Sequence, residues 1–279
     1  MPSYQGFLSP RGLLINRRFC CKGPNFTEFT TALRTVEDLP ASEAMLSYQT
    51  GLSDNGLQAL YKIVWPIIEK FKEVQRSSAN LRIGCQKFKD VCDRTLGIAS
   101  TAKSDYDAIF NGLEKLFLDP NNTDLRQHID ITISHRLATI NALKGVSEEA
   151  LGLLKISAGE TIEIQKKLNN LASALSSSDV YDMLASQNLT QEDVHNDLAA
   201  VSIIQNMIEE QDMEDQSRPL LGDLEILLGA VIAISGDLSG LRQSILDSTQ
   251  PGPRLLLDVE GVKVLELWEN LETDGKRDP

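Results

Sequence analysis

Aromatic side chains are scarce in this sequence of 279 residues, which contains eight Phe, five Tyr and two Trp. Thirteen of the rings fall at or before Phe117, and Tyr181 is the only one between Leu118 and Leu267. Apolar residues still make up 42 % of the chain, which is enough to bury a sizeable core. In the second half of the chain, that core must therefore be built from aliphatic side chains.

Cysteine and positive charge are also in short supply. The four cysteines, two of them adjacent at Cys20 and Cys21, are too few for a disulfide scaffold. With 27 basic and 40 acidic residues, the formal net charge is −13. This balance argues against nucleic acid as a partner, because phosphate contacts need clustered Lys and Arg. It also disfavours simple electrostatic docking on an anionic lipid surface.

Recognised catalytic motifs are missing from the sequence, which has no P-loop, no G-x-G-x-x-G after a strand, no H-E-x-x-H and no G-x-S-x-G. Cys85 and Cys92 are seven residues apart, as are His128 and His135. Two helical turns separate such pairs by ~10 Å, too far for one zinc ion. A site that combines a histidine from one helix with a cysteine from another remains the open alternative. We therefore predict no enzymatic activity, no cofactor and no metal.

Helical periodicity dominates the chain. Apolar residues recur at spacings of three and four, the pattern of helices that bury one face, and no alternating β-branched stretch competes with it. Proline is absent between Asn121 and Arg218, so nothing forces a break there. We predict an all-α fold: an elongated antiparallel bundle of long helices with coiled-coil-like packing. The predicted helical segments are 57–117, 124–176, 191–208, 219–245 and 259–271.

Local signals add detail to these helices. Pro66 is expected to bend the first helix, and residues 119–122 are expected to form a turn after it. The second helix, at ~50 residues, corresponds to a rod of roughly 75 Å. Thr190 and Asp193 resemble a capping box in which Asp replaces the usual Glu.

Basic residues are concentrated at the start of the chain. Residues 1–27 contain Arg11, Arg17, Arg18 and Lys22 and no acid. This composition fits a mitochondrial transit peptide, a disordered arm or a misassigned start, and it lacks the apolar run of a secretory signal. The predicted location is cytoplasmic, with mitochondria as the alternative. By region, we predict a basic, flexible arm over 1–45, a single elongated helical bundle over 46–272 and a disordered tail over 273–279.

Glycines recur every seven residues in two places, and each triplet falls on one side of its helix because seven residues are close to two turns. Glycine inside a helix costs about 1 kcal/mol relative to alanine, so these positions need compensation. We predict that the triplets face each other across an antiparallel hairpin and allow close helix approach. The alternative is that each glycine relieves crowding against a different neighbour. The expected pairs are Gly145 with Gly236, Gly152 with Gly229 and Gly159 with Gly222.

The sequence from Ile226 to Gly236 contains eleven residues without a charge. As a helix it is only ~16 Å long, about half of a hydrocarbon core near 30 Å, so it cannot span a membrane alone. It is either a buried core helix or a segment that meets lipid after rearrangement or in an oligomer. The residues predicted to contact a membrane or a partner are Leu227, Leu228, Val231, Ile232 and Ile234.

Two short stretches, Leu228–Ala230 followed by Asp237–Leu241, and Val264–Trp268, lie in the last two predicted helices. In these stretches the chain resembles the elongated α-helical pore-forming toxins of the cytolysin A and alpha-xenorhabdolysin type. The resemblance implies a soluble, rod-like bundle that can assemble on membranes. The sequence departs from those toxins in having no long apolar insertion in mid-chain.

Two functional hypotheses follow from these features. The first is a non-enzymatic helical bundle, similar to those toxins, that assembles with itself or with a partner helical protein, and does so on a membrane surface. The alternative is an intracellular coiled-coil scaffold or adaptor with a solvated acidic surface and no membrane activity.

Overall fold

A computed structural model of the chain describes residues 7–15, 18–20, 24–187, 189–210, 213–247 and 261–276. Over these residues the fold is all-α, as predicted, apart from a two-residue antiparallel ladder in which Leu14 pairs with Phe19. In chain order the elements are β1 (Leu14–Ile15), β2 (Arg18–Phe19), α1 (Pro24–Glu37), α2 (Glu43–Thr50), α3 (Asp54–Ala59), α4 (Tyr61–Leu118), α5 (Thr123–Leu175), α6 (Asp179–Ala185), α7 (Gln191–Glu209), α8 (Met213–Leu246) and α9 (Gly261–Lys276).

The chain divides into two compact units, where the sequence predicts a single bundle over 46–272. Helices α4, α5 and α8 each contribute residues to both units, so the division cuts across long helices and could not be read from breaks in periodicity. Unit I comprises Met1–Phe26, Gln86–Gly152 and Leu221–Pro279, and unit II comprises Thr27–Cys85 and Leu153–Leu220.

Within unit I, helices α4 and α5 run antiparallel. The Lys87 ammonium donates to Glu149 Oε1 at 2.6 Å. Nearer the turn between the helices, Gly112 lies so close to Ile129 that a Cβ built on the glycine would stand 2.7 Å from Ile129 Cγ1. Residue numbers therefore fall along α5 as they rise along α4, which is the pairing expected when a short turn joins two helices.

Unit II has the same antiparallel arrangement of α4 and α5, with α7 added. The hydroxyls of Ser77 and Thr161 lie 2.7 Å apart in its interior, so two buried polar groups satisfy each other. Gln165 Nε2 on α5 donates to the carbonyl of Ile208 on α7 at 2.8 Å. The part of this core that comes from the second half of the chain is aliphatic, as predicted, while α1 and α4 add the buried rings of Phe29 and Phe71.

The predicted helix ends are largely confirmed. Thr190 Oγ1 accepts from the Asp193 amide, and the Asp193 carboxylate accepts from the Thr190 amide, so the capping box is complete. The turn after α4 also forms where predicted, and Asn122 Oδ1 accepts from the amide of Leu125 in the first turn of α5. Pro66 lies inside α4 without ending it.

The start of α8 differs from the prediction. The helix begins at Met213 rather than at Pro219. Glu214 and Asp215 in its first turn complement the positive end of the helix dipole, which favours the earlier start. The last helix, predicted over 259–271, is observed over Gly261–Lys276, and residues 259–260 lie outside the described residues.

The predicted flexible arm over 1–45 is corrected as well. Its described residues form β1, β2 and α1, and they bury Leu8, Leu13 and Phe29 in the core. Of its basic residues, Arg17 and Lys22 lie outside the described residues. Apolar residues at helical spacing in α1 outweigh the basic composition, because their burial supplies the free energy that orders the chain.

The tail predicted to be disordered over 273–279 is ordered through Lys276. Residues 273–276 complete α9, and the Asp274 carboxylate accepts from the Phe19 amide at 2.6 Å. Gly275 packs so tightly that a Cβ there would stand 2.0 Å from Leu96 Cδ2. Residues 277–279 lie outside the described residues.

Candidate functional site

The apolar stretch of α8 presents two different faces in unit I. Leu227, Val231 and Ile234 are buried, so three of the five predicted contact residues already belong to the core. Leu228 is half-buried. Ile232 is 46 % exposed. The prediction that all five are available for contact is corrected, because helical spacing turns some of them inward and others outward.

Two large apolar side chains are nevertheless exposed on the apolar stretch of α8. Ile226 is 40 % exposed and lies six residues, about one and two-thirds turns, before Ile232. The helix segment Ser217–Leu246 is also long and apolar enough to cross a membrane by length and composition, with a mean hydropathy of 1.7 over its most apolar stretch. Core helices of soluble proteins pass the same criterion, so this feature permits membrane contact without demonstrating it.

The two glycine triplets do not face each other as predicted. A Cβ built on any of the six glycines would find no atom within 4 Å outside its own helix. Five of the glycines are exposed and Gly222 is half-buried. The buried residues of α5 near them are Leu143, Ser147, Ala150 and Leu154, whose spacing turns Gly145 and Gly152 outward.

The register between α5 and α8 in unit I also differs from the one that the predicted glycine pairs require. The Ser235 hydroxyl donates to Asn141 Oδ1 at 2.7 Å, and Arg242 Nε donates to Asp130 Oδ1 at 2.7 Å. In an antiparallel pair with Asn141 opposite Ser235, residue 145 falls opposite residue 231. Gly145 is therefore shifted by more than one turn from its predicted partner, Gly236.

Alanine substitutions should distinguish an open glycine from a packed one. At Gly152, where a Cβ meets nothing, alanine should stabilise the fold by about 0.5–1 kcal/mol because it is the better helix former. At Gly84, a Cβ would stand 2.6 Å from Leu154 Cδ2, and we expect a loss of about 1–3 kcal/mol from overpacking. Urea denaturation of both variants measures these changes. Destabilisation by Gly152→Ala would instead indicate a close approach at that glycine.

A buried arginine is the main feature of unit I that sequence reasoning missed. The Arg136 side chain on α5 is fully buried, and its guanidinium carbon lies 5.1 Å from the ring centroids of both Tyr106 on α4 and Trp268 on α9. The two rings are themselves 5.9 Å apart at 34°. A desolvated guanidinium between two ring faces gains cation–π attraction, so Arg136 joins three helices.

Arg136 is only partly satisfied by hydrogen bonds. Its Nη1 donates to the Ile98 carbonyl at 2.8 Å and to Thr101 Oγ1 at 3.0 Å, and it lies 3.3 Å from Asp105 Oδ2. Its Nε and Nη2 have no hydrogen-bond partner within the described chain, and neither does the Tyr106 hydroxyl. The charge is therefore held by one carboxylate and two rings.

Burial raises the pKa of the Tyr106 hydroxyl, and the Arg136 charge opposes that shift without cancelling it. Tyr106 is thus a neutral phenol at physiological pH, and its ring packs on Arg136 as an aromatic surface. The arrangement of this cluster fixes α9 against α4 and α5.

The same cluster anchors the first described residues of the chain. Trp268 Nε1 donates to the Leu8 carbonyl at 2.8 Å, and the Leu8 amide donates to Asp237 Oδ2 on α8 at 2.8 Å. Asp237 also forms an ion pair with Arg11. One of the acids that bracket the apolar stretch of α8 is therefore committed to holding the N-terminal segment.

A sequence signal for Arg136 did exist. Ile129, Ile133, Ile140 and Leu143 mark the buried face of α5, and Arg136 falls between them at the same three- and four-residue spacing. A charged residue at a core position requires partners, which periodicity alone does not name. Trp268 lies 132 residues further along the chain, so its contact with Arg136 had no local signal.

The cysteines and histidines do not form a metal site among the residues that the structure describes, where no group of three or more His, Cys, Asp or Glu side chains converges. Burial raises the pKa of the Cys85 thiol to about 12, despite the nearby Arg82 charge that lowers it. This thiol stays protonated at neutral pH, and the thiolate is the form that binds metals or attacks electrophiles. Cys85 is therefore a core residue.

Neither the protein-family models nor the curated proteins give a match to the chain. The fold defines a class in structural terms only: an all-α protein of long antiparallel helices in two compact units.

Proposed function

We propose that this protein is a non-enzymatic helical bundle that acts by helix-mediated assembly on membranes, in the manner of the α-helical pore-forming toxins that its sequence resembles. The observation that carries the proposal is the outer face of α8, where Ile226 and Ile232 are exposed on the most apolar helix of the described chain. Exposed aliphatic side chains on such a helix favour contact with lipid or with another apolar helix.

Deeper engagement of α8 with a membrane has an electrostatic cost. Asp223, Glu225 and Asp237 carry charge close to the apolar stretch, and ionised carboxylates are unfavourable in hydrocarbon. Asp237 is also paired with Arg11. We therefore propose that the outer face of α8 first lies at the interface, and that any deeper insertion requires release of this ion pair.

The test is leakage of dye from liposomes with the full-length chain. Ile232→Ser should lower the leakage rate at least several-fold, because it removes apolar area from the outer face of α8 without opening the core. Ile203→Ser is the matched control, since Ile203 is also an isoleucine, 40 % exposed, on α7 of unit II. Leakage by the control should equal that of the unchanged chain.

Two results would contradict this proposal. Equal leakage by the two isoleucine variants would exclude the outer face of α8 as the contact. No leakage from neutral or anionic vesicles at neutral and acidic pH, together with a monomer that shows no concentration dependence and no lipid affinity, would favour the scaffold hypothesis instead.

Asp223 gives the bundle a pH-dependent stability. Partial burial raises the pKa of its carboxyl above 3.8, although the Asn25 amide, which donates to it at 2.9 Å, lowers it. A raised pKa means that ionisation destabilises the fold above the folded-state pKa, and that this penalty vanishes as the pH falls. Asp223→Asn should therefore raise the Tm at pH ~7, with a gain that shrinks towards pH ~4.

The control for this prediction is Asp93→Asn, which removes an exposed carboxylate from α4 of the same unit. Thermal unfolding followed by circular dichroism across the pH range measures both variants. A Tm gain from Asp223→Asn that is constant with pH would show that carboxyl ionisation is not its cause.

A further inference from the structure

Two aromatic side chains are exposed side by side at the start of α4 in unit II. Tyr61 is 47 % exposed and Trp65 is 39 % exposed, one helical turn apart. Their rings are stacked, with centroids 5.8 Å apart and planes inclined by 19°. In a sequence with so few aromatic residues, this is an unusual use of two of them, because large rings are normally buried.

The surroundings of these rings are basic, although the whole chain is acidic. Residues 61–76 contain four basic and two acidic side chains. Lys72 lies 5.3 Å from the Trp65 ring centroid and pairs with Glu69, while Lys70 pairs with Glu73. Glu69 and Glu73 are thus each paired with a lysine of the same helix. Lys62 and Arg76 are exposed, and neither has an ion-pair partner in the described part of the chain.

We propose that this face of α4, formed by Tyr61, Lys62, Trp65 and Arg76, docks on the interfacial layer of an anionic phospholipid membrane. Trp and Tyr rings favour the headgroup region, where the ring body meets acyl chains and the polar tip stays hydrated. Lys and Arg beside them attract acidic headgroups. The inference rests on the proposed function for the presence of a membrane, and it adds the lipid class and the docking residues.

The size of the patch favours a membrane over a protein partner. From ring areas of about 150–250 Å² each, the exposed parts of Tyr61 and Trp65 together offer about 200 Å². A stable protein interface buries about 800 Å² on each partner. Interfacial lipid binding needs no matching surface of that size, because a few aromatic anchors and basic residues act together.

The two tryptophans allow a direct test on the full-length chain. Trp65 is half-exposed, whereas Trp268 is 1 % exposed. Vesicles of phosphatidylcholine with phosphatidylserine should shift the tryptophan emission to the blue, and brominated lipid should quench it. Trp65→Phe should abolish both signals. Lys62→Gln and Arg76→Gln should each weaken vesicle binding about fivefold, since each basic residue near such a surface contributes about that factor.

Tyr61→Ser has a matched control in Tyr48→Ser, because Tyr48 is an even more exposed tyrosine of the same unit on α2. We expect weaker vesicle binding only from Tyr61→Ser. The inference is overturned if both variants bind alike, if phosphatidylcholine alone binds as well as the anionic mixture, or if the blue shift occurs without lipid on self-association.

The two proposals can fail separately. Vesicle binding through Trp65 without dye leakage would leave this surface assigned and would contradict pore formation. Dye leakage with no change in Trp65 emission would support the proposed function and contradict docking through this face.

Discussion

Arg136→Ala is expected to lower the free energy of unfolding by about 3 kcal/mol. The substitution removes a buried guanidinium that joins α4, α5 and α9, leaves the Ile98 carbonyl without that donor and opens a cavity between two rings. Urea denaturation followed by Trp268 fluorescence, in a Trp65→Phe background, reports on unit I directly because Trp268 is its only tryptophan.

Arg136→Met distinguishes the contribution of the Arg136 charge to stability from the contribution of its packing. Methionine fills a similar volume and carries none of the nitrogens that lack partners, so we expect it to cost much less than alanine. Arg94→Ala on α4 of the same unit is the exposed control, expected within about 0.5 kcal/mol of the unchanged chain. A loss below about 1 kcal/mol for Arg136→Ala would contradict a structural role for this arginine.

Trp268→Ala is expected to cost about 3–5 kcal/mol, the usual range for truncating a buried large aromatic side chain. It removes the ring that covers Arg136 and the donor to the Leu8 carbonyl. Residues 7–20 should then become more accessible to proteases, because one of their anchors is lost. Far-UV circular dichroism during thermal unfolding and limited proteolysis provide the two measurements.

Two comparisons make this second prediction specific. Trp65→Ala, at a half-exposed position, should change stability by less than about 1 kcal/mol. The double substitution of Arg136 and Trp268 should cost less than the two single losses combined, by about 1–2 kcal/mol, because the two side chains share one contact. Simple additivity would show that the ring and the guanidinium are independent.

Periodicity predicted the helices because it reports a property of the single element. An α4 of 58 residues and an α5 of 53 residues follow from apolar spacing, with a turn where the spacing stops. The capping box at Thr190 was equally local, since its two members lie three residues apart. These features need no knowledge of what packs against the helix.

The same local reasoning was wrong about the chain ends. Basic composition suggested a flexible arm, yet Leu8, Leu13 and Phe29 are buried. Leu8 is held by α8 and α9, more than 200 residues later in the chain, through its bonds to Asp237 and Trp268. Composition is a local property of a segment. Whether the segment is ordered depends on contacts with residues that are distant in the sequence.

The sequence alone determined that this protein is all-α, aliphatic in its second half and built on long helices, because 3.6-residue periodicity and side-chain type are local quantities. Tertiary structure decided the rest. Which side of a helix packs on which neighbour depends on the tertiary packing. Only the structure therefore shows that the two glycine triplets face away from neighbouring helices and that three of the five candidate residues on α8 are buried. It also gave the lone core charge of α5 its aromatic partners, one of them from the last helix.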